Sequence, residues 1–365
     1  MKHWIRARLE ILVALIFLGS LAFWSAENLW SFKAALIATE YGEYLVLPCL
    51  LLAFLPARRS SIILGLIAAA LFASTDIRAW RYQQDLPERF QAAFGSPWET
   101  PPRPLQSFKI HVFSYDSVRN LKLRFWRVTG ATDAPCVIVV HGGGWNAGSR
   151  DEFPDLNAVL ASEGFAVASI DYRLSPENPW PAQYEDVMNA KNWLQRQAKS
   201  LGIDPKRFAI LGRSAGAQIA LAAAYKNKDA FKGVIDFYGP ADLRFAWAQG
   251  YPGDILDSLS LLKDLTGGSP DEKAAIYDDA SPYSYASKDS PPTLILHGVM
   301  DRLVWNAQSE RLNEKLDQMG QKKHLFISLP WAVHAFDYNL KGPGGRISEK
   351  AVEAFLQNIF NPELK

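Results

Sequence analysis

Phe208-Ala209-Ile210-Leu211-Gly212-Arg213-Ser214-Ala215-Gly216-Ala217 is the stretch on which the reading of this chain turns. Its first four residues are apolar without alternation, the pattern of a strand covered on both faces. The Ala-rich run Ala215–Tyr225 then begins at once and reads as a helix. Between them, G-x-S-x-G supplies small residues where a strand must become a helix within a very tight turn. Such a turn sets a serine hydroxyl at a helix N-terminus, where free N–H groups and the helix dipole favour developing negative charge. Ser214 is therefore the candidate nucleophile. Read alone, the same residues fit a Ser-Ala-Gly helix start used for close packing.

Working outward, the same strand–helix alternation continues. Phe108–Tyr115 and Leu121–Val128 alternate as an opening hairpin. Short continuous apolar runs follow at Cys136–Val140, Phe165–Ile170, Gly233–Phe237, Thr293–Leu296 and His324–Leu329, with Pro181–Lys199, Ala307–Gly320 and Ser348–Phe360 as helices between or after them. The pattern predicts an α/β fold with an eight-stranded, mostly parallel sheet and helices on both faces. The interval Ala241–Ser290 is too long for a connection and is expected to cross the C-terminal edge of the sheet, where open α/β sheets bind ligands.

Two further features lie at that edge. His141-Gly142-Gly143-Gly144-Trp145 follows the strand Cys136–Val140, and three glycines permit a backbone path that aims several N–H groups at one point. A phosphate loop is the competing reading, and the segment lacks the Lys-Ser/Thr ending that one requires. A serine nucleophile also needs a base, and there are six histidines. His3 precedes the first apolar run, His111 and His324 lie within strands, His141 belongs to the glycine loop and His297 closes a strand. His334, in the loop after the last strand, is the base by elimination. Asp301, in the loop after the preceding strand, is the expected orienting acid, with Asp337 as its rival; the order Ser…Asp…His suits this fold.

His141–Trp145, Asp171-Tyr172-Arg173-Leu174-Ser175-Pro176-Glu177, Gly212–Ala217 and the Asp301 and His334 loops together resemble the α/β-hydrolase superfamily, and within it the hormone-sensitive-lipase-like and acetyl-esterase carboxylesterases. The resemblance covers about residues 107–362. It implies a serine hydrolase that cleaves carboxylic esters through an acyl-enzyme, with no cofactor, and with the N–H groups of Gly143, Gly144 and Ala215 as an oxyanion hole. Three departures stand out: Arg213 occupies a position where that branch commonly has Asp, Gly298-Val299-Met300-Asp301 is closer to dienelactone-hydrolase and prolyl-oligopeptidase types, and Ala335 follows His334 where Gly is usual. His141, Trp145 and Trp331 are candidates to line the substrate pocket, core packing being the alternative for the tryptophans. Asp171-Tyr172-Arg173 is expected to brace the glycine loop. A Ser-His-Asp set activates all acyl donors alike, so amide hydrolysis, acyl transfer and a non-catalytic tethered binding module stand as alternatives.

The first 80 residues are another material. Ile11–Ala26, Tyr44–Ala57 and Ser60–Thr75 are uncharged and apolar, with Lys2, Arg6 and Arg8 before the first and Arg58-Arg59 between the last two. A spanning helix needs about 20 such residues, which predicts three transmembrane helices at 9–26, 36–57 and 60–80, the second enclosing Glu40 and Glu43. Lys and Arg placement puts residues 107–365, the catalytic domain, on the extracytoplasmic side of an integral membrane protein. Residues 81–106, with five prolines, read as an extended connector. The net charge of +1 excludes the basic footprint of a nucleic-acid binder. Two cysteines make no disulfide scaffold, and no cluster has metal-ligand spacing. Expected partners are a small-molecule or lipid ester and, through the N-terminal segment, membrane lipid.

Overall fold

A computed structural model describes residues 2–54, 59–99 and 104–361, with side chains from residue 6 onward. Eight strands form one sheet in the order β1-β2-β4-β3-β5-β6-β7-β8. They are β1 (Phe108–Asp116), β2 (Leu121–Val128), β3 (Ala134–Val140), β4 (Ala166–Ile170), β5 (Ile203–Arg213), β6 (Val234–Phe237), β7 (Thr293–Gly298) and β8 (His324–Leu329). The hairpin β1–β2 and the β2–β4 pair are antiparallel. From β4 through β3, β5 and β6 to β7 every pair is parallel, so the segments that follow these strands leave at one edge. Every residue of β4, β6 and β7 is buried, which is why their sequences are apolar without alternation. The interval 241–290 carries three short helices, Leu243–Gln249, Ser258–Thr266 and Ala274–Ala280.

The chain divides into two compact units, and the division does not fall where the sequence placed it. The larger comprises Pro87–Leu296, Val304–Ile327 and the chain from Ala351 on. The smaller takes the chain up to Leu86 and adds His297–Leu303 and Ser328–Lys350.

In the smaller unit four helices run α1 (Lys2–Ser20), α2 (Leu29–Glu40), α3 (Glu43–Phe54) and α4 (Arg59–Tyr82). Small residues set their spacing. Gly65 of α4 lies where a Cβ would collide with Ala53 of α3, and Gly19 of α1 where a Cβ would come within 2.9 Å of Leu71. Buried Arg8 bonds Ser61 near one end of the α1–α4 pair, and Arg78 donates to the Ala22 carbonyl (3.0 Å) near the other. The expected 60–80 helix is present as α4, with mean hydropathy 1.8 in its best window. The expected 9–26 span is corrected: α1 stops at Ser20 and a 3-10 turn, Leu21–Phe23, follows. The expected 36–57 span is corrected as well. α2 and α3 meet at 85°, because Gly42 turns the chain tightly against the Ala38 carbonyl and Phe72. Residues 55–58, including Arg58 of the intervening turn, lie outside the described residues.

The connector is likewise not wholly extended, since Leu86–Phe94 is a helix. Leu86, Phe90 and Phe94 recur at i, i+4 on one face, and Pro87 occupies the first turn, where a missing N–H costs nothing. Phe94 packs edge-on against Phe355 at 5.2 Å, and Phe90 against Trp98 at 5.4 Å. Pro101 and Pro102 lie outside the described residues.

Behind the glycine loop of the larger unit, the Asp186 carboxylate is fully buried and accepts from both the backbone N–H and the Nε of Arg173, each at 2.8 Å. Its hydrogen bonds hold the Arg173 guanidinium above its ordinary pKa against the opposing effect of burial. Asp186→Ala removes both acceptors and leaves the Arg173 guanidinium with Glu185 and the Ala182 carbonyl alone, so it is expected to lower stability by about 1–3 kcal/mol, read as a fall in the thermal midpoint, with Asp186→Asn losing less.

Candidate active site

β5 ends in a turn whose backbone no ordinary residue pair would tolerate. Ser214 stands at φ 54°, ψ −123°, a sparsely populated conformation costing about 1–3 kcal/mol. A Cβ on Gly212 would run into Gly216 and Ala217, and one on Gly216 into the carbonyls of Val140 and His141. Both glycines of the motif are therefore dictated by space. The turn is held because the Ser214 N–H donates to the Phe237 carbonyl (2.8 Å), extending the β5–β6 ladder one residue past the strand, while Ala217 and Gln218 donate back to the Ser214 carbonyl. Arg213, unusual at its position, is buried between the rings of Phe153 and Phe237, 4.7 and 5.1 Å from their centroids. It is a cation stacked inside the fold and does not disturb the turn.

The glycine loop lies against this turn: a Cβ on Gly142 would come within 3.3 Å of the Ser214 Cβ. Gly143 (φ 99°) and Gly144 (φ 58°) take left-handed backbone, and a side chain on Gly144 would meet Leu261, carried by the helix Ser258–Thr266. Asn146 and Ala147 N–H groups both return to the Gly143 carbonyl, closing the loop on itself. Of Asp171-Tyr172-Arg173, expected to brace it, Tyr172 does so directly, while Arg173 binds Asp186 and Glu185. The Tyr172 hydroxyl reaches the carbonyls of His141 and Gly142 at 3.2 and 3.1 Å, its ring stacks on His141 at 4.2 Å, and Asp171 takes Arg150.

His141 is buried, and its Nδ1 lies 2.8 Å from the Gly142 carbonyl; burial pushes its pKa down, so the ring is neutral at pH 7. Trp145 is buried and its Nε1 donates to Gln218 (2.8 Å), tying the loop to the helix Ala215–Lys226. Trp331 is fully buried, edge-on to Tyr82 at 5.9 Å. Both tryptophans are thus buried against these partners, as packing within the core also requires. Cys136 is buried and its thiol pushed up by burial, which leaves it no nucleophile.

In the smaller unit the loops that carry Asp301 and His334 are joined backbone to backbone. The N–H groups of Val299 and Met300 donate to the carbonyls of Leu329 and Ala332 at 2.9 and 3.0 Å. Gly298 permits this, since a Cβ there would collide with the Ala332 carbonyl. Asp301 is 2% exposed, and its Oδ2 lies 2.6 Å from His334 Nδ1. The same oxygen lies 3.2 Å from His297 Nε2, and Oδ1 accepts from the Leu303 N–H. Burial works to raise this carboxyl, but the charge of His334 and the hydrogen bonds of both imidazoles outweigh it and hold it well below the ordinary carboxylate range. Sequence reasoning set His297 aside as a strand end; its i, i+4 spacing from Asp301 was the available signal.

Chain geometry of this kind has relatives. The BD-FAE family model matches residues 126–316, just over half of the chain. A probable carboxylic ester hydrolase of Mycobacterium tuberculosis, LipM, is 29% identical across 91% of this chain and 87% of its own length. Esterase LipQ of the same organism is 31% identical over 66% of this chain and 60% of its own. Among solved structures, a truncated carbohydrate esterase from gut microbiota superposes with a TM-score of 0.60 at 25% identity, over 72% of this chain and 99% of that one. The thermostable carboxylesterase EstE1 from a metagenomic library gives 0.60 at 21%, over 78% and 98%. The protein is thus an α/β-hydrolase-fold enzyme, an ester hydrolase of the carboxylesterase type. Within that class the chain belongs to the BD-FAE family.

Two substitutions in the smaller unit should move stability in opposite directions. Gly298→Ala forces the paired loops apart and is expected to lower the melting temperature by several degrees. Ala335, at φ 60°, carries the left-handed penalty of about 1–2 kcal/mol. Ala335→Gly should therefore raise stability by about 1 kcal/mol, after the added freedom of the unfolded chain is subtracted.

Proposed function

We propose that this enzyme cleaves carboxylic esters by a Ser214–His334–Asp301 triad, through an acyl-enzyme, while held at a membrane by its N-terminal helices. The observation that carries the catalytic part is the buried 2.6 Å contact between Asp301 and His334 Nδ1, which leaves Nε2 as the nitrogen for proton transfer. His334 accepts the Ser214 hydroxyl proton as Oγ bonds to the ester carbonyl carbon. The negative charge on the carbonyl oxygen is met by the N–H groups of Gly143, Gly144 and Ala215, each contributing about 2.7–4 kcal/mol if it acts as a typical oxyanion donor. His334 then passes its proton to the departing alkoxide. In deacylation it takes a proton from water, which attacks the acyl carbon, and returns it to Ser214. Asp301 holds the imidazole tautomer and stays ionised. His297, on the same carboxylate oxygen, helps keep it in place.

The membrane part rests on α4, which among the described residues is the one unbent helix long and apolar enough to cross. It is supported by the apolar side chains that α1 to α4 leave exposed, Phe17, Leu47 and Ile63 among them, with Trp30 83% exposed. In this reading α1 and α3 lie beside α4, α2 lies across their far end, and Lys2, Arg6, Arg8 and Arg59 mark the cytoplasmic side. The catalytic residues are then extracytoplasmic.

Ser214→Ala is expected to reduce p-nitrophenyl acetate turnover by the detergent-solubilised chain at least 10³-fold and to abolish labelling by a fluorophosphonate; undiminished turnover would remove Ser214 from its role. Asp301→Asn should lower kcat by about 10⁴-fold with folding intact. Activity should stay in the membrane pellet after alkaline carbonate extraction, and release into the supernatant would refute the anchor.

A further inference from the structure

We propose that the N-terminal helices are a working part of the catalytic apparatus, and that Glu40, at the end of α2, is a positioning residue for the loops that carry Asp301 and His334. The inference rests on the reading of those two residues as acid and base. It starts from a carboxylate in an unfavourable place. Glu40 is fully buried at the C-terminal end of α2, where a polar group cut off from water needs hydrogen-bond partners. Such a group persists only with a compensating partner.

The partner comes from the far end of the chain. Gly344, in the first turn of the helix Pro343–Phe360, donates its N–H to Glu40 Oε2 at 2.9 Å, so the carboxylate sits at the positive end of an 18-residue helix. Asn339 Nδ2 donates to the Glu40 carbonyl at 2.5 Å, taking up one of the acceptors that the end of α2 leaves open. The approach needs bare backbone. A Cβ on Gly344 would sit 3.0 Å from Oε1, and one on Gly342 would sit 2.6 Å from the Glu40 carbonyl oxygen. Beside this joint Arg346 spans Glu43 at 3.1 Å and Asp76 at 2.5 Å, linking the same segment to α3 and α4.

The part of α2 before Glu40 meets the catalytic loops directly. Met300, the neighbour of Asp301, and Val333, the neighbour of His334, share one small apolar cluster with Ala35 of α2, flanked by Leu21, Phe32 and Leu36. Tyr82, the last residue of α4, lies edge-on to Trp331. The segment running from Trp331 through His334 to Arg346 is therefore gripped on both sides of its histidine, by the apolar cluster before it and the Glu40 joint after it. A displacement near 1 Å at a catalytic group costs about 10²-fold in rate, so loosening one grip should appear in kcat.

The experiment uses the full chain in detergent, with turnover counted per fluorophosphonate-reactive site so that unfolded molecules drop out. Glu40→Ala is expected to lower kcat 10- to 100-fold with KM within twofold. Glu40→Gln, which keeps an acceptor for Gly344, should recover kcat to within about fivefold of the parent. Per-site kcat within twofold of the parent in folded Glu40→Ala would overturn the proposal, because the residue would then only stabilise the fold. So would a change confined to KM. If Glu40→Ala does not fold, Asn339→Ala decides by the same measure, a three- to tenfold loss of kcat supporting the proposal and an unchanged kcat overturning it. His334→Ala in the parent chain separates this from the reading beneath it. Full activity in that variant removes the base itself, whereas an inactive His334→Ala beside an unaffected Glu40→Ala removes only the positioning role.

Discussion

A strand that must reverse into a helix around one serine is the constraint from which much of the larger unit follows. The Ser214 backbone is held away from its preferred conformations, and strain of this kind persists only where the surroundings over-determine it. Here they do so in three ways. The ladder to Phe237 fixes the entry, the absence of side chains at Gly212 and Gly216 makes the turn possible, and the carbonyls of Val140 and His141 close over Gly216. The glycine loop can then lie against the turn only if it is itself kept in left-handed backbone. Tyr172, Trp145 and the Asp171–Arg150 pair supply that restraint. Burial of the Tyr172 hydroxyl and the Trp145 indole is acceptable because each finds a hydrogen-bond partner, so the rigidity of the edge and the satisfaction of these two groups are one arrangement.

The smaller unit solves a different problem, holding an ionised carboxylate in a dry place. Asp301 is surrounded by two imidazoles and a backbone N–H, and the balance between desolvation and these partners keeps it charged. Sign matters for its effect on the fold. Since the folded carboxyl titrates below its ordinary value, its contribution to stability is present above the ordinary carboxylate range and fades as the pH falls through the folded value.

What the sequence disclosed, and what it withheld, follows from how local each signal was. The buried strands were legible because both faces are covered, and so was the turn at Ser214, because space alone selects its glycines. Asp301 and His334 could be found from their place after successive strands. The helix Leu86–Phe94 was hidden because five prolines over 81–106 dominated the composition, while the i, i+4 spacing of Leu86, Phe90 and Phe94 carried the structure. The bend at Gly42 was hidden because an apolar run has no direction, and hydropathy cannot tell one helix from two at 85°. The buried states of Trp145 and Trp331 depend on Gln218 and Tyr82, partners far away in the chain. Least visible of all was the joining of the first 86 residues to two loops near the other end, for which no periodicity exists.

That joining has a consequence for how the molecule comes into being. The apolar cluster around Ala35 lacks Met300 and Val333, and the Glu40 carboxylate lacks its helix, until nearly the whole polypeptide has been made. Synthesis at about 5–20 residues per second leaves the early helices waiting roughly 15 to 60 seconds for those partners. During that interval they have one another to cover them, while the Glu40 carboxyl lacks Gly344 and its backbone carbonyl lacks Asn339. The segment around Gly344 is thus the one that closes these helices, and a product interrupted between residues 220 and 330 would carry Ser214 without His334.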